Sequence, residues 1–294
     1  MTKFILPLLA AVALSARAAE PATPNNSANL DAKRDIAAKT GFLTDMNRKL
    51  PMLFIVGDST VHNPGRGERG WGDVIGKNFD TNKIRVENHA LGGRSSRTFI
   101  TQGYWDMVLA AAKPGDFVIV QLGHNDGGAL NEEPPGSKYP LRARGTIRGL
   151  GEETQEIDNV LTKQHEVVHT YGWYLRKYIS DAHAKGMTII LCSPIPHVPK
   201  VTVKAGDVEK SEYVRLSAAV AEAEKVPFIH LNKITMSRYD GMTPKEVKEK
   251  YFTPADDTHT SFAGAELNAQ SVIEGLKELK DCPLNGFLKA DTEK

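Results

Sequence analysis

Cysteine is scarce: the 294 residues hold two, Cys192 and Cys282. That excludes a disulfide-stapled scaffold, and a chain this long needs no staple to build a core. Charge of one sign is lacking as well. Lys and Arg number 37 against 36 Asp and Glu, a formal balance of +1. Such a chain has no basic surplus for a nucleic-acid surface. Long hydrophobic runs are missing. The run from Phe4 to Leu14 spans roughly eleven residues, and a bilayer span needs about 20. No internal repeat is visible, which leaves out solenoids and propellers. With 40% hydrophobic and 25% charged residues, the composition is that of an ordinary soluble globular chain.

The short apolar run has a function of its own. Met1-Thr2-Lys3 is a positive start, and Ala16-Arg17-Ala18 puts small residues where a signal peptidase reads them. The pattern predicts a signal peptide over 1–18, cut after Ala18, and hence a secreted or periplasmic protein that leaves the membrane after cleavage. Loss of Lys3 and Arg17 would take the balance from +1 to −1. In that compartment Cys192 and Cys282 either pair or remain two buried thiols. Residues 19–50 are polar and carry Pro21, Pro24 and Asn25-Asn26. They read as a tether with a short helix around Asp31–Lys39, ahead of a catalytic domain over 51–294.

Five apolar runs have strand length: Met52–Val56, Ile84–Asn88, Phe117–Leu122, Met187–Ser193 and Val226–Leu231. Continuous short runs suit strands buried on both faces of a parallel sheet. Between them apolar residues recur at helical spacing, as in Tyr171, Tyr174, Leu175, Tyr178, Ile179 and Ala182. Phe262, Ala265, Ala269, Val272, Ile273 and Leu276 repeat the pattern. Tyr104–Ala112 and Val208–Glu224 are further helix candidates. Strands alternating with helices predict the α/β class, with ligands bound beyond the carboxyl ends of the strands.

Polar sets stand at those ends. Gly57-Asp58-Ser59-Thr60 follows the first run, and His89-Ala90-Leu91-Gly92-Gly93-Arg94-Ser95 follows the second. Gly123-His124-Asn125-Asp126 follows the third, and Asp256-Asp257-Thr258-His259 precedes the last helix. Each set alone is ordinary turn chemistry. Together they assemble a mechanism. A serine hydroxyl is a poor nucleophile until a base takes its proton, and His259 can be that base for Ser59. Asp256, three residues earlier, can orient the imidazole. The backbone N–H groups of Ser59 and Gly93 and the Asn125 amide can hold an oxyanion. Glycine at 93 would let the backbone approach closely.

These four blocks resemble the SGNH (GDSL-type) hydrolase family, named for Ser, Gly, Asn and His. Here they are Ser59, Gly93, Asn125 and His259, in the family's order. Gly93-Arg94-Ser95, Gly123-His124-Asn125-Asp126-Gly127-Gly128 and the stretch 256–265 are similar to the rhamnogalacturonan acetylesterases. The resemblance covers roughly 51–280 and assigns the acid to Asp256 rather than Asp257. It implies a three-layer α/β/α sandwich with a five-stranded parallel sheet, no cofactor and no metal. The chain departs from the family over about 130–170. It also lacks the Gly-x-Ser-x-Gly elbow, since residue 61 is Val61.

Other clusters compete for attention. His165-Glu166-Val167-Val168-His169 spells the zinc-protease signature H-E-x-x-H. That chemistry needs a helix, yet the segment is β-branched and the helical period starts only at Tyr171, so a strand or loop is expected. Leu175 occupies the place of a third ligand. Arg94 and Arg97 flank the Gly93 loop and could grip a uronic-acid carboxylate; His197 follows a strand and could rim the pocket. Arg142, Arg144 and Arg148 read as a solvated loop, and Trp71 as core. His89 and His124 neighbour the oxyanion loops, with no sequence feature that makes them catalytic. The expected function is deacetylation of an acetylated polysaccharide or oligosaccharide, most specifically rhamnogalacturonan, by a monomer with no nucleic-acid partner. A zinc protease and a non-catalytic carbohydrate-binding module are the readings from other classes.

Overall fold

The computed structural model describes residues 47–290, except 66, 133–135, 137–142 and 209. The expected leader, the helix around Asp31–Lys39 and Arg142 lie outside the described residues. The described chain already packs against the domain before Pro51. Arg48 is buried, ion-paired with Asp116, and donates to the Ala111 carbonyl at 3.0 Å.

All five apolar runs form strands of one parallel sheet. They are β1 (Met52–Gly57), β2 (Arg85–Asn88), β3 (Phe117–Gln121), β6 (Thr188–Cys192) and β7 (Phe228–Ile229). Their order is β2-β1-β3-β6-β7. In register, Ile55 faces Asn88, Gly57 faces Gln121 and Cys192 faces Ile229. The chain leaves β1 for one neighbour and later returns to the other, so the crevice beside β1 is a topological switch point.

Side chains alternate across the sheet with period two. Met52, Phe54 and Val56 pack with Val118, Val120 and Leu191 against the helices Ser96–Thr101, Tyr104–Ala111, Tyr171–Ala184 and Glu212–Glu224. Leu53 and Ile55 point the other way, with Ile119, Ile190 and Cys192, towards the helices Leu231–Ser237 and Phe262–Glu278. The result is the expected three-layer sandwich. Among the described residues no helix is long and apolar enough to cross a membrane.

The elements differ from the sequence reading at several points. The run Val226–Leu231 keeps only two residues in the sheet, because Pro227 has no N–H to give a ladder and suits an edge. The helix expected from Val208 starts at Glu212, with Ser211 at the N-cap position. The departure over 130–170 contains an antiparallel hairpin, β4 (Thr154–Asp158) with β5 (His165–His169). A further helix, Pro244–Tyr251, opens on a capping box in which Glu246 N–H donates to Thr243 Oγ1 at 3.3 Å and Thr243 N–H to Glu246 Oε2 at 2.8 Å.

Candidate active site

The turn after β1 is held from three directions. A Cβ at Gly57 would fall 2.4 Å from Val61 Cγ2 and 2.9 Å from the Gln121 carbonyl, so only glycine fits. Val61 and His62 donate their N–H groups to the Asp58 carbonyl at 3.1 and 3.0 Å. The Asp58 carboxylate accepts from Thr60 N–H at 2.8 Å and from the Thr60 hydroxyl at 2.7 Å. Ser59 stands at the top of this turn, partly exposed.

His259 reaches Ser59 across 200 residues of sequence. Its Nε2 lies 2.8 Å from Ser59 Oγ, and its Nδ1 lies 2.7 Å from Asp256 Oδ2. The other oxygen of Asp256 accepts from the N–H groups of Thr258 and His259, both at 2.8 Å. Burial alone would raise the Asp256 carboxyl. The bonds from His259 and Thr258 outweigh it and hold the group below the usual carboxylate range. Asp257 points elsewhere: its carboxylate is exposed and pairs with Lys248 Nζ at 2.6 Å. Lys248 also donates to the Asp256 carbonyl at 2.5 Å, so the helix Pro244–Tyr251 props the loop that carries the Asp–His pair.

The loops after β2 and β3 arrive at the same edge. Leu91 N–H donates to the Gly57 carbonyl at 3.0 Å, and a Cβ at Gly92 would lie 3.6 Å from that of Ser59. Gly93 has φ +78°, which is the reason for its glycine. Crowding is not, since a Cβ there would meet nothing nearer than Arg144 Nη1 at 3.9 Å. Asn125 is buried, and one N–H of its amide donates to the Arg94 carbonyl at 2.9 Å. That bond joins the two loops expected to hold an oxyanion.

Among the expected substrate contacts, Arg97 is a correction. Its side chain is 0% exposed and cannot touch a substrate. It is sealed against Glu166 and against the carbonyls of Leu130 and Gly145, at 2.6 and 2.9 Å. Arg94 remains at the surface, but its guanidinium holds the Gly92 carbonyl at 2.9 Å and the Tyr104 hydroxyl at 2.8 Å. His197 borders two cavities. One of about 110 Å³ is shared with Gly123, His124, Gly127 and Tyr213; one of about 660 Å³ is shared with Val198, Lys200 and Lys210. Arg148 is solvated as expected. Arg144 instead lies beside Gly93, where sequence spacing gave no sign of it. Trp71 is core, its indole donating to Gln121 Oε1 at 2.8 Å. His89 is buried against Phe54.

The H-E-x-x-H segment is strand β5, as the β-branched residues suggested. Residues i and i+4 of a strand are about 13 Å apart, against about 6 Å on a helix. His165 and His169 therefore cannot close on one ion. Glu166 is spent on Arg97, and His169 stacks on Trp173 with ring centroids 3.7 Å apart. Among the described residues, the group whose ligating atoms come within 4.8 Å of one another is Glu68, Asp256 and His259. Glu68 is buried and accepts from Asn63 Nδ2 at 2.7 Å. It brings a second carboxylate to the Asp–His pair from a glycine-rich loop whose spacing carries no signal.

A parallel sheet with a serine, a histidine and an acid meeting beyond its carboxyl edge, and no nucleophile elbow, defines a serine hydrolase of the GDSL type rather than an ordinary α/β-hydrolase. Residues 55–267 match the model of the GDSL-like lipase/acylhydrolase family, and the chain belongs to that family as a carboxylic ester hydrolase. It is 26% identical over 224 residues to a rhamnogalacturonan acetylesterase of Emericella nidulans, covering 76% of this chain and 84% of that one. It is 28% identical over 233 residues to a probable rhamnogalacturonan acetylesterase of Bacillus subtilis, covering 77% and 93%. The crystal structure of the Bacillus subtilis protein YxiM superposes with a TM-score of 0.59 at 25% identity, covering 78% of this chain and 56% of that one.

Proposed function

We propose that the chain removes acetyl groups from a plant cell-wall polysaccharide, with acetylated rhamnogalacturonan as the substrate. The observation that carries the chemistry is the relay of two short hydrogen bonds, Asp256 to His259 to Ser59, at 2.7 and 2.8 Å. The two relatives named for rhamnogalacturonan support the choice of glycan.

Ser59 Oγ attacks the acetyl carbonyl carbon while His259 Nε2 takes the hydroxyl proton. Asp256 fixes the tautomer with Nδ1–H towards itself and stabilises the imidazolium that forms. The negative oxygen is met by the backbone N–H groups of Ser59 and Gly93 and by the second N–H of the Asn125 amide. The carbon–oxygen bond to the sugar breaks, and the departing alkoxide takes the proton from Nε2. Water then attacks the acetyl-enzyme with His259 as base, releasing acetate and restoring Ser59. Arg94 and Arg144 beside Gly93, and His197 at the rim of the neighbouring cavities, are the side chains offered to the glycan. Removal of the leader after Ala18 places the enzyme outside the cytoplasm.

Acetate release from acetylated rhamnogalacturonan, acetylated xylan and a small acetyl ester tests the reading. Wild type should release acetate fastest from rhamnogalacturonan, and Ser59→Ala should release none. Full activity in Ser59→Ala would remove the mechanism. Activity confined to xylan or the small ester would remove the glycan and leave the chemistry. Exported protein whose N-terminal sequence begins at Ala19 would bear out the leader.

A further inference from the structure

Beneath Ser59 a buried chain of hydrogen bonds has one self-consistent direction. The Trp71 indole can only donate, and it donates to Gln121 Oε1. That fixes the amide, whose Nε2 donates to Thr60 Oγ1 at 2.7 Å. The Thr60 hydroxyl proton is thereby sent to Asp58 Oδ1, which also receives the Thr60 N–H. Two donors on one oxygen favour the ionised carboxylate.

The second oxygen of Asp58 faces the imidazole of His124. Nδ1 lies 3.4 Å from Oδ2, the distance of an ion pair rather than of an aligned hydrogen bond. The other ring nitrogen, Nε2, lies 3.1 Å from the Ile195 carbonyl. Both nitrogens thus face acceptors. A neutral ring would turn a lone pair on one of them, whichever tautomer it took. The Asp58 side chain is 0% exposed and that of His124 5%, so water does not relieve the conflict.

We propose that His124 is held as an imidazolium by ionised Asp58 and acts as a positioning residue for the oxyanion loop. The functional half of this rests on the esterase reading above. Asp58 directly precedes Ser59, and His124 directly precedes Asn125, so the pair ties the nucleophile turn after β1 to the amide after β3. A buried ion pair adds little stability over an apolar pair of the same shape, so its value lies in placement and in field. A fixed positive charge behind Asn125 favours the oxyanion that develops in front of it.

The groups around the pair are consistent with this. His197 meets the His124 ring edge-on at 5.1 Å, and Tyr213 lines the same small cavity. Asp126 and Asp58 repel each other, and burial raises the Asp126 carboxyl to about 7 against the bonds from Ser96. Below about 7, Asp58 is the anion of the two. Burial would raise it, but His124 and Thr60 prevail and hold it below the usual range.

Nitrogen-15 spectra of the full chain labelled in histidine read the charge directly, with His124 assigned by its loss in His124→Gln. Both ring nitrogens of His124 should still carry protons at about pH 8, above the ordinary histidine value of about 6.5. A neutral tautomer there overturns the proposal. Should His124→Gln not fold, Asp58→Asn serves, since His124 should then become neutral at the same pH; an unchanged imidazolium would count against Asp58 as its cause. On a small acetyl ester, His124→Gln and Asp58→Asn should each lower kcat by about 10- to 100-fold with KM nearly unchanged. That is less than the about 10²–10³ lost with a direct oxyanion donor. The double variant should be no worse than either single one. Wild-type kcat in both variants would remove the positioning role. An inactive wild type would speak against the esterase reading alone, because the spectra do not depend on turnover.

Discussion

Arg97 and Glu166 form a bidentate ion pair inside the protein, Nε to Oε1 at 2.6 Å and Nη2 to Oε2 at 2.8 Å. The arginine stands on the helix that follows the Gly93 loop and the glutamate on the β4–β5 hairpin. Asn159 Nδ2 adds a third donor to Glu166 at 2.7 Å. Burial works against the Glu166 charge, but Arg97 and Asn159 outweigh it and hold the carboxyl low. One contact thus explains two sequence signals that pointed to a ligand and to a metal. It also gives the β4–β5 hairpin a use, which is to brace the helix that follows the Gly93 loop.

Removing one partner strands the other charge in the core. Glu166→Ala should therefore cost about 3–5 kcal/mol, read as a lower midpoint in urea denaturation. Chelator treatment should leave wild-type hydrolysis unchanged. A variant of normal stability that had lost activity would return Glu166 to a chemical role.

Asp256 and Asp257 are neighbours with opposite expectations. Asp256→Asn should lower kcat by about 10⁴, because an amide facing Nδ1 favours the wrong tautomer. Asp257→Asn removes only an exposed pair with Lys248, worth about 0–1 kcal/mol, and should leave kcat within about twofold. Steady-state kinetics of the two variants on one ester decide the assignment.

Asp126 gives stability a pH dependence of unusual sign. Burial, aided by the Asp58 charge, raises its folded value to about 7 against the bonds from Ser96. Between about pH 4 and 7 the folded protein keeps a proton that the unfolded chain has released. Folding is therefore favoured at the low end of this window and weakened as pH rises through it. Asp126→Asn should remove that fall. The difference in unfolding free energy between wild type and variant should change by on the order of 1–4 kcal/mol from pH 5 to pH 8. A constant difference across the window would mean that Asp126 is ionised throughout.

The two cysteines, left open as a pair or as thiols, are both free and buried in the same apolar layer. Burial pushes both thiols up. Native protein should resist a thiol reagent, denatured protein should titrate two thiols, and reductant should leave Tm unmoved. A titre of zero after denaturation would reveal a disulfide.

The strand ends were readable because a parallel sheet puts its chemistry where each apolar run stops, and Ser59, Gly93 and Asn125 all stand at such stops. His259 was readable from Asp256 three residues before it. The β-branched residues hinted at β5, but its pairing with β4 was not readable, since the two strands bury only Ile157 and Val168 and so lack alternation. The burial of Arg97 depends on Glu166, 69 residues away, and no local pattern reports such a pair. Glu68 and Arg144 reach the site by the same kind of long-range fold. The helix Pro244–Tyr251 carries a local signal, Thr243-Pro244 with Glu246, but no apolar periodicity, because only Val247 and Tyr251 of its residues are buried.

Gly93 separates conformation from contact. With φ at +78° and its nearest neighbour 3.9 Å from where a Cβ would be, alanine meets no clash. It meets only the left-handed penalty of about 1–2 kcal/mol. Two responses are open to Gly93→Ala. If the fold holds the backbone in place, stability falls by that amount and kcat stays near wild type. If the peptide relaxes to negative φ, the N–H at Gly93 turns away from the oxyanion and kcat falls by about 10²–10³ at little cost in stability. The Asn125 amide bonded to the Arg94 carbonyl, and Arg94 bonded back to the Gly92 carbonyl, both resist relaxation. The first response is therefore expected: a lower urea midpoint with kcat nearly intact. Loss of kcat with an unchanged midpoint would show that the loop yields, and that Gly93 is needed for the direction of its N–H.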